Sequence, residues 1–172
     1  PRPKLRTETK VRTMGVEVDT MVTPELAPSR RSHLENLAVN TVEAALKAEG
    51  RNTESCEVSV LFTDDAFIAE LNEQYRGVSG PTDVLSFALC DMESEVDRQE
   101  VPGLPIMLGD IVISLETAAR QAESEGKTED QELRLLLVHG ALHLLAYDHD
   151  EPEREAVMWE KQARILRALE KE

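Results

Sequence analysis

The amino-acid sequence predicts a single domain of the α/β (α+β) class: a mixed sheet of about four strands, packed with helices around one buried helix. Three observations lead there. The chain has 172 residues, a one-domain length. Four short β-rich runs alternate with helical stretches, as in a layered sheet-and-helix unit. The stretch beginning at Glu129 is apolar all round a helical projection, with Leu133, Leu135, Leu136, Leu137, Val138, Ala141, Leu142, Leu144 and Leu145. A helix of that kind must be enclosed by other elements.

The elements follow in order. Residues 1–13 stand apart, with Arg2, Lys4, Arg6, Lys10 and Arg12 against the single acid Glu8 and little apolar content. They predict a flexible basic arm, and the domain proper is expected over 14–172. Val16, Val18, Met21 and Val22 suggest a first strand. Pro28-Ser29 then opens a helix to about residue 49, with Leu34, Leu37, Ala38, Val42, Ala45 and Leu46 on one side and Gly50 as its stop. Residues 57–63 are β-rich, and Asp64-Asp65 is a cap for a helix reaching 75. A Gly/Ser/Pro loop (77–82) precedes a strand over 83–89, and 91–103 is an acidic, Pro-containing surface loop. A fourth strand is expected over 108–114, then an Ala-rich helix ending at Gly126. The last segment, 152–172, is amphipathic, with Ala156, Trp159, Ala163 and Leu166 as its apolar stripe.

Composition excludes several functions. With 41% hydrophobic and 31% charged residues the chain is globular rather than disordered. A net charge of −15 excludes a domain that grips nucleic acid by bulk charge, though it leaves room for a local basic site. Six aromatics, Phe62, Phe67, Tyr75, Phe87, Tyr147 and Trp159, are scattered along the chain, unlike an RRM or OB-type stacking platform. The longest stretch free of Asp, Glu, Lys and Arg runs over 135–147, short of the ~20 apolar residues of a membrane span. No apolar signal region opens the sequence. Cys56 and Cys90 are too few for a disulfide framework, and a cytoplasmic location is the expectation.

Three of the four histidines lie in HGALHLLAYDHD: His139, His143 and His149. The first two are four apart, so on a helix they share one face. His149 can join them only if the helix breaks first, and Tyr147-Asp148 is the expected place. Three neutral imidazoles with a position left open for water suit a catalytic zinc site, whereas structural zinc usually has four protein ligands. Core histidines are the plainer alternative, but each would then need its own polar partner, since unpaired burial costs several kcal/mol. One shared metal meets all three needs. The spacing also occurs in metzincin proteases, where a Glu follows the first histidine and a Gly stands three before the third. Here those positions hold Gly140 and Ala146, so a metzincin-like hydrolase is the weaker reading.

HGALHLLAYDHD closely resembles the H-G-x-L-H-L-x-G-Y-D-H motif of the YbeY family of bacterial metal-dependent endoribonucleases. Two further blocks resemble that family in its own order: NEQYRGVSGPTDVLSF (72–87) and LGDIVIS (108–114). The resemblance implies one Zn2+ ion held by His139, His143 and His149, and an essential active-site arginine, Arg76; His139 and Arg76 are then the catalytic candidates. It further implies single-strand-specific cleavage in ribosomal RNA maturation, at the 3′ end of 16S rRNA and in ribosome quality control. The implied partners are ribosomal RNA and the ribosome or its small subunit with assembly factors, with no membrane and no DNA. One residue departs from the motif: Ala146 replaces a Gly whose left-handed conformation would cost Ala about 1 kcal/mol.

The residues of the other blocks read more plainly. Val84, Leu85, Phe87, Ile111 and Ile113 are core strand residues, and Asp110 is structural. Thr82 and Asp83 either line a cleft or cap a turn; Asp148 either accepts from a ligand imidazole or sits in a turn. An acidic body repels RNA, so the sequence predicts a small positive cleft at the metal and Arg76, aided by Arg30-Arg31 or the basic arm. A non-catalytic ribosome-assembly module with structural zinc is the third reading.

Overall fold

The computed structural model describes residues 15–22, 25–89 and 104–171. The basic arm, Cys90 and the acidic loop lie outside the described residues. The elements run β1 (Gly15–Met21), α1 (Pro28–Ala48), β2 (Cys56–Thr63), α2 (Asp65–Arg76), β3 (Val84–Ala88), β4 (Ile106–Ser114), α3 (Leu115–Glu125), α4 (Glu129–Leu144) and α5 (Pro152–Leu169). The sheet order is β1-β2-β4-β3, with β1, β2 and β4 parallel and β3 antiparallel at the edge. The four-stranded mixed sheet read from the sequence is thus present, and β4 begins two residues earlier than expected.

Local chemistry sets the helix ends. The Asp64 side chain accepts from the Phe67 N–H at 3.0 Å, and Gly77 ends α2 in the left-handed conformation at φ 67°. Ser114 caps α3, and Thr128 with Gln131 forms a reciprocal capping box at the start of α4. The start of α4 is therefore set by its own side chains as well as by packing.

Alternation along the strands divides the core. Val58, Val60 and Phe62 of β2 and Ile111 and Ile113 of β4 pack on the face that carries α1, α4 and α5. Leu61, Leu85 and Val112 face the other way, against Ile68 and Leu71 of α2. α4 meets α1, α3, α5, β3 and β4, the enclosed position its all-round apolar sequence requires. Gly140 makes that seat possible: a Cβ there would lie 2.9 Å from Ile111 Cγ2 and 3.2 Å from Ser86 Oγ. Beneath the end of α4, β4 carries an irregularity. Glu57 pairs with Met107 but Val58 pairs with Gly109, leaving Leu108 as the extra residue. Gly109 has φ 145°, and a Cβ on it would fall 2.1 Å from the Phe87 carbonyl oxygen.

The apolar stripe of α5 differs from the sequence expectation. Met158, Gln162, Ile165 and Leu169 are buried, whereas Ala156 and Trp159 are exposed and Ala163 and Leu166 half-buried. The true series steps i, i+4, i+7, i+11 and passes through a polar residue. Selecting apolar residues alone therefore rotates the face.

Candidate metal centre

His139 and His143 project from the last turns of α4, one turn apart and half-buried. Their Nε2 atoms stand 3.1 Å from each other. The helix then closes in a Schellman arrangement: the Tyr147 N–H donates to the Leu142 carbonyl and the Ala146 N–H to the His143 carbonyl, both at 3.0 Å. Ala146 takes φ 67°, the left-handed conformation that the sequence expectation assigns to a Gly. The break comes at Leu145–Ala146, slightly before Tyr147-Asp148, because the left-handed residue itself ends the helix.

Past this turn the chain doubles back, and the His149 ring lies 5.1 Å from that of His143 and 5.6 Å from that of His139, centroid to centroid. One ligand atom from each of the three lies within 4.8 Å of the others. Tetrahedral nitrogen ligands at zinc bond lengths sit ~3.3–3.4 Å apart, so the donor set fits a single ion. No further His, Cys, Asp or Glu joins this cluster among the described residues.

Two neighbourhoods hold the three rings. Gln162 of α5, itself buried, has Oε1 3.2 Å from His139 Nδ1. An amide oxygen can only accept, so the proton sits on Nδ1 and the Nε2 lone pair points into the cluster. The turn to His149 is tied down from elsewhere. The Tyr147 hydroxyl donates at 2.6 Å to the carboxylate of Glu49, the residue that ends α1. Lys161 and Arg164 donate to the same carboxylate at 2.8 and 3.0 Å, and Lys161 also lies over the Tyr147 ring.

The electrostatics follow from burial. Burial pulls the His139 imidazole below its usual range, partly offset by the bond to Gln162. His143 falls to about 4, through burial and then the neighbouring His139. Both rings are thus neutral at pH 7, the form in which an imidazole donates a lone pair. Burial pushes the Glu49 carboxyl up, but the bonds from Lys161 and Tyr147 outweigh it and leave the group below the ordinary carboxylate range.

The remaining candidates have other hydrogen-bond partners or none, although the charges of Asp83 and Asp148 act on the cluster. Arg76 is the last residue of α2, exposed, and makes no hydrogen bond, ion pair or ring contact with the three histidines. Asp83 accepts from the Val84 N–H, Thr82 Oγ1 and Gln121 Nε2, which is the cap of a loop-to-strand turn. Asp148 accepts from the His149 N–H at 2.7 Å, so it acts as a turn residue rather than as the partner of a ring nitrogen. Arg30 pairs with Glu129 and Arg31 with Glu25, which commits both to ion pairs and not to a free basic patch. Sequence reading missed Gln162 and Glu49. The signal for Gln162 was a polar residue in the slot between Met158 and Ile165; Glu49 left none, since its partners are about a hundred residues away.

This is an α+β domain whose central helix, with the turn that follows it, presents a three-histidine site able to hold a metal ion. Residues 24–170 match the family model described as Endoribonuclease YbeY, and the chain belongs to that family. It is 46% identical over 153 residues to the endoribonuclease YbeY of Roseiflexus sp., covering 88% of this chain and 92% of the relative. That of Pelotomaculum thermopropionicum is 46% identical over 136 residues, covering 79% and 86%. The solution structure of a Thermotoga maritima protein superposes with a TM-score of 0.55 at 29% identity, covering 87% of this chain and 86% of the other. Family membership makes the protein a nuclease with RNA as its substrate. No described helix is long and apolar enough to cross a membrane.

The position after His139 also bears on the protease reading. Gly140 is turned toward Ile111 and Ser86 of the sheet, so a Glu there would point away from the cluster as well as clash.

Proposed function

We propose that the protein is a zinc-dependent, single-strand-specific endoribonuclease of ribosomal RNA maturation, working in the cytoplasm at the 3′ end of 16S rRNA and in ribosome quality control. Its partners on this reading are the ribosome or small subunit and the assembly factors bound there. The convergence of His139, His143 and His149, with two Nε2 atoms 3.1 Å apart, is the observation that carries it. A zinc ion held there supplies a water of pKa about 7 or a Lewis acid for a phosphoryl oxygen.

The chain's own residues do the rest. His139 and His143 stay neutral at pH 7 because burial disfavours their cations, and Gln162 keeps the His139 proton on Nδ1. Arg76 is exposed and makes no ion pair among the described residues, so its guanidinium is available to bracket the non-bridging oxygens as charge grows on them. Three protein ligands rather than four among the described residues favour an open, catalytic position over a structural zinc.

The test is cleavage of a ribosomal RNA 3′ fragment by wild type, His143→Ala and Arg76→Ala, purified identically and checked for folding. Both variants should fold and lose at least ~100-fold in rate. Equal cleavage by all three would assign the activity to a contaminant and leave the assembly-module reading. Chelation adds a check: it should abolish cutting while leaving the helices intact, whereas removal of a structural zinc unfolds the domain.

A further inference from the structure

We propose that Trp159 is a base-stacking subsite for single-stranded RNA beside the histidine cluster. It is the chain's only tryptophan, and although among the largest apolar side chains it is 43% exposed. Its ring lies parallel to that of His149, with 2° between planes and 6.4 Å between centroids, and 5.9 Å from that of His139. The indole N–H donates to Glu155 Oε1 at 3.0 Å, which fixes the ring's rotation on the helix surface. One side of a held, flat ring is thus turned toward the imidazoles while much of the residue stays open to solvent.

An exposed indole beside a site for phosphate chemistry answers the charge problem. The net charge of −15 removes bulk attraction for RNA, and Arg30, Arg31, Arg154, Lys161 and Arg164 are already paired with carboxylates. With Arg76 left as a phosphate contact, affinity gains from a further source that phosphate repulsion does not cancel. Stacking on an aromatic face is such a source, and it is tolerant of sequence because every base has a π-face. A single ring also differs from the multi-aromatic platforms that the sequence argues against, since it grips one base and not a strand. Duplexed bases are buried in their own stack, so the subsite favours single-stranded substrate.

The inference rests on the reading that RNA is cut at the three histidines, and the experiment separates the two. The sole tryptophan reports its own contacts. In zinc-loaded protein, a 2′-O-methyl oligoadenylate should quench Trp159 fluorescence, and an abasic oligomer of equal length should not. Trp159→Leu should raise KM ~10-fold with zinc content unchanged, and Trp159→Phe should restore most of the loss. Equal quenching by the abasic oligomer would overturn the subsite. So would a Trp159→Leu variant that loses zinc and kcat with KM unmoved, because the ring would then only pack against the ligands. If His143→Ala still cuts RNA, the cluster reading itself fails, and the subsite fails with it.

Discussion

His139 and His143 reach the cluster on the most enclosed helix of the molecule, whereas His149 reaches it on an exposed turn whose first residue is backbone-strained. The helical pair inherits its geometry from the fold: the capping box at Thr128, the close seat at Gly140 and the bond from His139 to Gln162 each fix part of it. The third histidine depends on a left-handed Ala146 and on a tether from Tyr147 to Glu49. The three ligand atoms thus converge from two kinds of support, one helical and one in a turn. The half built on the helix should therefore resist perturbation of the turn, and the turn should be the half that substitutions can tune.

Acid tests the helical half through the burial of its two imidazoles. In metal-free protein the folded pKa of His143 is about 4, below the 6.5 of an exposed imidazole. As pH falls from 6.5 toward 4 the unfolded chain takes up that proton while the folded chain does not, so stability is lost through this window. Below about 4 both states carry the proton and the loss levels off. Solvent screening of the half-buried ring keeps the effect for His143 below the ~3 kcal/mol that the full shift would give. Urea unfolding of the chelated protein at pH 7 and pH 4.5 measures it. His143→Gln should show a shallower fall than wild type, and equal slopes would contradict the account. His139 shifts in the same direction and leaves some slope in the variant.

Gln162→Leu tests the other support of that half. Leu fills the same buried slot, but His139 loses the acceptor that fixes its tautomer. Zinc affinity, measured by competition with a chelator, should fall ~10–100-fold while the helical signal of the protein is retained. Gln162→Glu keeps an acceptor and should stay nearer to wild type. A Leu variant with wild-type affinity would show that packing alone orients His139.

Most of the architecture was legible because it is written in local pattern. The four strands, the Asp64 cap, the Gly77 and Gly126 stops and the enclosed α4 each leave a period or a punctuation residue. The three histidines were legible for the same reason, two sharing a helix face and one following a break. What the sequence concealed lies in contacts between distant segments. Gln162 sits in a core stripe where polarity disguises it, and Glu49 meets Tyr147, Lys161 and Arg164 only after α1, α4 and α5 have docked. Arg30 and Arg31 looked free because Glu129 and Glu25 are drawn to them by folding. Gly140 was legible only as a missing Glu; its positive reason, the closeness of Ile111, belongs to the sheet beneath it.

The turn offers the smallest change and the cleanest contrast. Ala146 holds φ 67° at an exposed position with its N–H bonded to the His143 carbonyl, so only its Cβ opposes the conformation. Ala146→Gly removes that opposition without disturbing a packed neighbour. Two effects compete: relief of left-handed strain favours the folded state by about 1 kcal/mol. The greater freedom of Gly in the unfolded chain takes back part of it, about 0.4–1 kcal/mol. The net expectation is a gain of a few tenths of a kcal/mol in thermal stability, with zinc affinity raised less than twofold. A clear loss of stability would mean that the turn is held by Tyr147 and Glu49 so firmly that the strain at Ala146 is already absorbed. In that case the tether, and not the helix end, is what positions His149.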